Sequence, residues 1–133
     1  MFVDTSFCVD LLRESRKSVE GPATRKLKEL GDTTLQMSIF VSCELHAGAQ
    51  LSSKPAEETK RVDRLTEFVE VILPDKTFAV SDGEAEAFLR RKGKGGSTMD
   101  LLIGVTAKVH GKPLLTRNVD HFLSIPGLMV ETY

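Results

Sequence analysis

An excess of charge of either sign is missing from this sequence. Its 18 lysines and arginines stand against 19 aspartates and glutamates, a formal charge of −1 at pH 7. That balance excludes a surface that is basic all over, while leaving room for acids in one place to cancel bases in another. Cysteine is nearly absent. Cys8 and Cys43 sit among apolar residues without metal-ligand spacing, so both are expected as small core residues in a reducing compartment rather than as a disulfide. No apolar stretch approaches the ~18 residues of a membrane span. No basic segment precedes an apolar one at the N-terminus, as a secretory signal requires. The expected location is the cytoplasm. Aromatic residues make up 6% of the chain, which leaves no obvious stacking platform.

What is present is an ordinary globular balance, 41% hydrophobic and 28% charged over 133 residues. That length predicts a single domain, 1–133, with a real core. Strand-like runs alternate with helical patterns almost throughout. "MFVD" reads as a strand, followed by a helix from Ser6 to about Arg13 that the polar "RESRKSVEGP" should break. Pro22 suits the first turn of a second helix and Gly31 its end. "TLQMSI" is strand-like, and Ser38 suits the N-cap of a helix running to about Leu51. Pro55 opens a helix to about Phe68, and "VEVIL" is a third strand stopped by Pro74. "DKTFAVSDGEAEAFLRRKG" is helical, with an expected interruption near Gly83, and "KGKGGS" is a basic loop. Thr98 to His110 is helical, closed by Gly111. "KPLLT" is a strand, and "GLMVET" a last short one. There is no internal repeat. The alternation predicts an α/β fold, a mainly parallel sheet flanked by helices, with any site at the carboxyl ends of the strands.

Several acids fall where solvation alone does not explain them. Asp4 ends the first apolar run and a half-buried helix follows at once. On a helical wheel of residues 39–51, Phe40, Cys43, Ala47, Gly48 and Leu51 share one arc and Glu44 falls inside it. Ser42, His46 and Gln50 lie opposite. A lone buried carboxylate is costly unless it is paired or binds a cation, although a salt-bridged or half-exposed glutamate satisfies the same pattern. Asp100 opens a helix that is apolar nearly all round. "STMD" also fits a capping box, with Ser97 as the cap. Asn118 and Asp120 follow the strand "PLLT", where ordinary turn residues are common. Together these positions can converge on one edge of the sheet. Hard oxygen donors without histidine or thiolate partners select Mg2+ or Mn2+, ions that activate water and neutralise charge in phosphodiester hydrolysis.

"FVDTSFCVDLL", "SIFVSCELHAGA" and "MDLLIGVTAKVHGKPLLTRNVDHFLSIPGL" carry a resemblance covering nearly the whole chain. In order and spacing they resemble the PIN-domain ribonucleases, specifically the VapC-type toxins of prokaryotic toxin–antitoxin pairs. The resemblance implies a three-layer α/β sandwich and a Mg2+- or Mn2+-dependent endoribonuclease, usually held inactive by a cognate VapB-type antitoxin, and a homodimer. It makes Asp4, Glu44 and Asp100 the catalytic acids and metal ligands. Asp4 and Asp100 would hold the ion directly, and Glu44 a second ion or a water. The fourth family position falls on Asn118, which offers a carbonyl oxygen but no charge. Asp120 is close enough to take its place. Ser6 matches the family's small polar residue beside the first acid.

For an RNA substrate, Arg90, Arg91, Lys92 and Lys94 form a basic cluster before Asp100, a candidate for phosphate-backbone contact, although a charged run at a helix C-terminus is also simply solvated. Arg13, Arg16 and Lys17 are a second candidate. No catalytic role is expected of His46, His110 or His121, and "SDGEAEA", with Asp82, Glu84 and Glu86, is expected as a solvated turn and helix start. Two rivals remain. A phosphatase or phospho-acceptor domain needs a second aspartate two residues after Asp4, where Ser6 stands. A binding module without catalysis stays open because Asn118 is not an acid.

Overall fold

The computed structural model describes all 133 residues. Five strands form one sheet: β1 (Phe2–Val3), β2 (Leu35–Ser38), β3 (Val69–Ile72), β4 (Leu114–Leu115) and β5 (Val130–Glu131). Their order is β3-β2-β1-β4-β5, and every pairing is parallel. Seven helices flank the sheet: α1 (Thr5–Lys17), α2 (Pro22–Leu30), α3 (Ile39–Gln50), α4 (Pro55–Thr66), α5 (Lys76–Arg91), α6 (Thr98–Val109) and α7 (Val119–Phe122). A parallel sheet must be covered on both faces, which is why its strands are apolar rather than alternating. Phe2, Val3, Leu114 and Leu115 are almost wholly buried, and they belong to one cluster of 25 buried apolar residues.

The strand order reverses at β1. After β1 the chain departs toward β2 and β3, and after β4 it departs toward β5, so the carboxyl ends of β1 and β4 border the crevice where open α/β sheets place their ligands. The backbone holds these ends in register, with Asp4 N–H donating to Leu115 O (3.1 Å).

Three expected element boundaries move. First, α1 does not break at Arg13 but continues to Lys17. The cause is Glu14, which is buried. Its carboxylate accepts the backbone N–H groups of Gly21 (3.1 Å), Ala23 (3.1 Å) and Thr24 (2.8 Å), and the Thr24 hydroxyl (2.6 Å). Gly21, the N-cap of α2, has no side chain to cap with, so Glu14 satisfies the orphan donors from the neighbouring helix. A Cβ on Gly21 would stand 2.1 Å from Glu14 Oε1, so a side chain there displaces the capping carboxylate. Second, α5 runs through Gly83 without interruption. A mid-helix glycine costs about 1 kcal/mol relative to alanine, less than the packing of Phe78, Ala85 and Leu89 on one side of this helix holds in place. Third, the residues after β4 form the short helix α7 rather than a plain turn.

The wheel drawn for α3 also needs correction. Its packed face is Val41, Ser42, Leu45 and Ala49. Cys43, Ala47, Gly48 and Leu51 are exposed, Leu51 by 88%. The apolar arc therefore faces outward, and Glu44 lies at its border, half-buried. Of the two cysteines, Cys8 is a core residue as expected, whereas Cys43 is exposed; both are free thiols.

Candidate active site

Asp4 does two structural jobs at the end of β1. Its extended backbone (φ −91°, ψ 178°) makes it the N-cap of α1, with Oδ1 accepting from Phe7 N–H at 2.9 Å. Its carboxylate also accepts the Ser6 hydroxyl (2.7 and 2.9 Å) and the Thr116 hydroxyl (2.6 Å). Ser6 is the small polar residue that the family pattern sets beside the first acid; Thr116, at the end of β4, has no role in that pattern as read from the sequence. Asp4 is 3% exposed. Burial lifts its carboxyl above the ordinary aspartate range, and the hydrogen bonds from Thr116, Phe7 and Ser6, which favour the anion, do not cancel that rise. An anion held in place yet uncomfortable without a positive partner is the electrostatic condition of a cation ligand.

Glu44 and the loop after β4 join this centre by short relays, whereas Asp100 is tied to α7 instead. The Thr5 hydroxyl donates to Glu44 Oε2, tying α3 to the residue beside Asp4. Thr116 Oγ1 accepts Asn118 N–H (2.8 Å), and Ser6 Oγ accepts Arg117 N–H (3.1 Å), so the loop carrying Asn118 and Asp120 is pinned to the Asp4 cluster. Asp100 stands in the first turn of α6. Ser97 Oγ accepts its N–H (3.4 Å), which is one half of a capping box. The Asp100 carboxylate instead faces α7, with Oδ2 lying 3.1 Å from His121 Nδ1. His121, given no role from sequence, is thus brought to a candidate acid. Asp100 and Asp120 line the same open cavity of about 420 Å³, together with Lys94, Ser97, His121 and Ser124. Asn118 and Asp120 line a second cavity of about 260 Å³ with Arg117 and His121. Both fourth-position candidates therefore border the site, and Asp120 is the one that shares a cavity with Asp100.

Gly104, one turn into α6 from Asp100, sets how closely α7 lies. A Cβ there would meet Ile125 Cδ1 at 2.5 Å and Phe122 Cδ1 at 3.3 Å. The absence of that atom lets the segment bearing Asp120 and His121 close over the start of α6.

The convergence is incomplete: no three of the His, Cys, Asp and Glu side chains form one metal-binding group. The donor set itself, Asp4, Glu44, Asp100, Asp120 and the carboxamide of Asn118, consists of hard oxygen atoms suited to Mg2+ or Mn2+. The basic residues divide. Lys94 and Arg90 border a cavity at the start of α6 that also includes His121, and Lys94 shares the Asp100 cavity as well. Arg90 pairs with Glu86 (2.6 Å), Lys92 lies 5.8 Å over the Phe88 ring, and Arg91 is exposed. Asp82 and Glu86 lie in the middle of α5, not in a turn. Asp82 Oδ1 is sealed from solvent without a partner, and burial, then the charge of Glu86, raises its carboxyl.

Sequence reading also missed Asp10. It is 4% exposed and accepts from Arg13, from Arg117 (2.7 Å) and from the Tyr133 hydroxyl (2.9 Å). A polar residue spaced six positions after Asp4 on α1 gave no periodic signal, because its partners lie at the far end of the chain.

The family model described as PIN domain matches residues 1–128. The chain is 26% identical over 131 residues to the tRNA(fMet)-specific endonuclease VapC of Salmonella typhimurium, covering 98% of this chain and 96% of that one. It is 27% identical, with the same coverage, to ribonuclease VapC2 of Rickettsia felis. The crystal structure of DNA-bound VapBC from Salmonella typhimurium matches with a TM-score of 0.88 at 26% identity, over 98% of this chain and 96% of that one.

Proposed function

Because the chain belongs to the PIN domain family, we propose that it is a VapC-type toxin, a single PIN domain spanning 1–133 that hydrolyses RNA phosphodiester bonds as a Mg2+- or Mn2+-dependent endoribonuclease. The observation that carries this reading is Asp4: a buried carboxylate at the sheet's switch point, fixed by Ser6, Phe7 and Thr116 and relayed through Thr5 to Glu44. Asp4, Glu44 and Asp100 would hold the cation, with Asp120 or the Asn118 carboxamide completing the set. When bound, such an ion lowers the pKa of water and neutralises charge that develops on the phosphate. The protein's own contribution is rigidity. The N-cap bond and two hydroxyls fix the Asp4 rotamer, and Thr116 and Ser6 fix the following loop, so Asp4 and the loop of Asn118 are held in place before any ion binds. Lys94, Arg90, Arg91 and Lys92 would contact backbone phosphates, which position RNA without reading its sequence. In-line attack leaves a 5′-phosphate and a 3′-hydroxyl.

The VapBC complexes among the structural neighbours support a VapB-type antitoxin as partner. A cavity of about 360 Å³, lined by Leu11, Leu12, Leu27, Leu65 and Phe68 between α1, α2 and α4, is a candidate seat for it. That cavity shares Leu12 with the one that Glu44 lines, so one extended segment can occupy the groove and reach the acids. Exposed apolar side chains, Leu51, Val80 and Phe88 among them, support a homodimer. No helix is long and apolar enough to cross a membrane, and an RNA substrate suits a cytoplasmic protein. The test is cleavage of purified RNA with Mg2+ or Mn2+, with chelator, and with Asp100→Asn. Cleavage that persists in chelator, with contaminating nuclease excluded by the Asp100→Asn protein, rejects the metal mechanism.

A further inference from the structure

Asp10 lies in the core side of α1, and a buried carboxylate is tolerated only with partners. Its partners here are two arginines, one from the same helix and one from the far end of the chain. Arg13, one turn along α1, pairs with Oδ1. Arg117, in the loop after β4, donates to Oδ2 at 2.7 Å, beside the Tyr133 hydroxyl. One negative charge therefore holds two positive ones, and the triad is net cationic. Both arginine side chains remain about half exposed, 46% for Arg13 and 51% for Arg117. Each makes its side-chain bond to Asp10 alone, so most of its fork of N–H donors is left for a ligand.

The two arginines flank the acids. Arg13 lines the cavity that contains Glu44, with Arg16, Val9 and Gly48. Arg117 lines the cavity that contains Asn118 and Asp120. Arg117 is anchored twice: its backbone N–H donates to Ser6, which bonds Asp4, and its side chain is held by Asp10. We propose that Arg13, Asp10 and Arg117 form a phosphate clamp for single-stranded RNA, in which Asp10 fixes the two arginines beside Glu44 and beside the Asn118–Asp120 loop to receive backbone phosphates near the scissile bond. The clamp rests on the ribonuclease reading of the site and names how that site holds its substrate. Fixing a guanidinium before binding removes much of the rotamer entropy that a free surface arginine loses on contact.

The test uses full-length protein carrying Asp100→Asn, so that RNA is bound and not cut, and a mixed-sequence single-stranded RNA titrated at several KCl concentrations. Arg13→Gln and Arg117→Gln keep a donor for Asp10 and so keep the fold, which a melting curve checks. Each is expected to weaken binding roughly five- to tenfold at moderate salt and to lower the slope of log K against log[salt] by about 0.7, the value for one lost phosphate contact on a single strand. In the otherwise native protein the same variants should raise KM with kcat nearly unchanged, the signature of lost uniform binding. Asp10→Asn separates a held clamp from a mere positive patch. It adds net positive charge, so a patch would bind RNA more tightly, whereas a clamp whose centre keeps only one neutral acceptor oxygen, and turns an amide donor toward the other arginine, binds it more weakly. Slopes unchanged in both arginine variants, or tighter binding by Asp10→Asn, would overturn the clamp. Arg13→Lys and Arg117→Lys supply a second arm: slope retained and affinity reduced supports the fork, while native affinity in both rejects it. The ribonuclease reading fails separately, if the native protein with Mg2+ or Mn2+ neither binds nor cleaves RNA.

Discussion

Replacing Asp4 by asparagine should leave the protein at least as stable as before and stop it cutting RNA. Asparagine caps a helix about as well as aspartate, so the bond from Phe7 N–H survives on Oδ1. The Ser6 and Thr116 hydroxyls that now donate to the carboxylate can turn to accept from the new amide. What disappears is a buried negative charge whose carboxyl burial has already lifted above its ordinary value. The folded protein favours the neutral form, so this group's contribution to stability is fully present below the unfolded value of 3.8 and is lost as pH rises through the higher folded value. In chelator, wild type and Asp4→Asn should therefore melt together near pH 3.5 and separate as pH rises, with the variant the more stable at neutrality. Asp4→Ala behaves differently. It loses the cap, about 0.5–2 kcal/mol, and leaves two buried hydroxyls short of an acceptor, about 1–3 kcal/mol each before they re-pair. A net loss near 2–4 kcal/mol lowers the melting point by roughly 6–16 °C for a chain of this size. Mg2+ at a hundred times its dissociation constant should stabilise wild type by about 2.7 kcal/mol and Asp4→Asn hardly at all. Cleavage by Asp4→Asn should fall at least about a hundredfold. A variant that melts well below wild type in chelator at pH 7, or that cleaves RNA at close to the native rate, would refute the assignment of Asp4 as a strained anion awaiting a cation.

Asp100→Asn should stay folded, since Ser97 still caps α6, and should lose cleavage in the same RNA assay; Asn118→Ala should lose less, because Asp120 shares the Asp100 cavity, and equal losses would restore Asn118 as the fourth ligand. Glu14→Ala strips the acceptor from the start of α2 and should cost about 2–4 kcal/mol in a denaturant titration. Burial raises the Glu14 carboxyl, but the stronger combined effect of its hydrogen bonds from Thr24, Ala23 and Gly21 holds it below its ordinary 4.5, so its stabilisation is present above that value and fades as pH falls through the lower folded one, a dependence Glu14→Ala should lack. A partner peptide that inhibits the protein should protect Leu12, Leu27 and Phe68 in hydrogen exchange and place an arginine against Asp4 or Asp100; inhibition by a partner bound on the far side of the sheet would reject direct blocking.

Much of this was legible in the sequence because it is local. The cap at Ser38, the prolines opening α2 and α4, and the apolar strands all act through neighbours a few residues away, and the observed elements follow them. Asp4, Glu44 and Asp100 stood out because each carboxylate interrupts an apolar pattern. What stayed hidden depends on contacts across the chain. Nothing near Glu14 says that it will cap the next helix, and so α1 was expected to stop short. Asp10 looks like any helical aspartate until Arg117 and Tyr133 arrive. The wheel put Glu44 inside an apolar arc and took that arc for the packed side, whereas Glu44 lies at the border of an outward-facing arc, because periodicity reports a stripe without saying which stripe faces the core. His121 carried no metal-pair spacing and meets Asp100 only because Gly104 lets α7 close in.

The bond from Thr116 to Asp4 joins residues 112 positions apart, and β1, between β2 and β4 in the sheet, cannot complete its pairing before β4 exists. Chains are made from the amino end, and long-range parallel pairing is slow to form. While the ribosome is still elongating, the first acid is already outside but has neither its second hydroxyl nor the loop that carries Asn118 and Asp120. An enzyme that destroys RNA thus emerges unassembled from the RNA machine that makes it. Chains interrupted before Thr116 never acquire the hydroxyl and the loop that complete the Asp4 cluster.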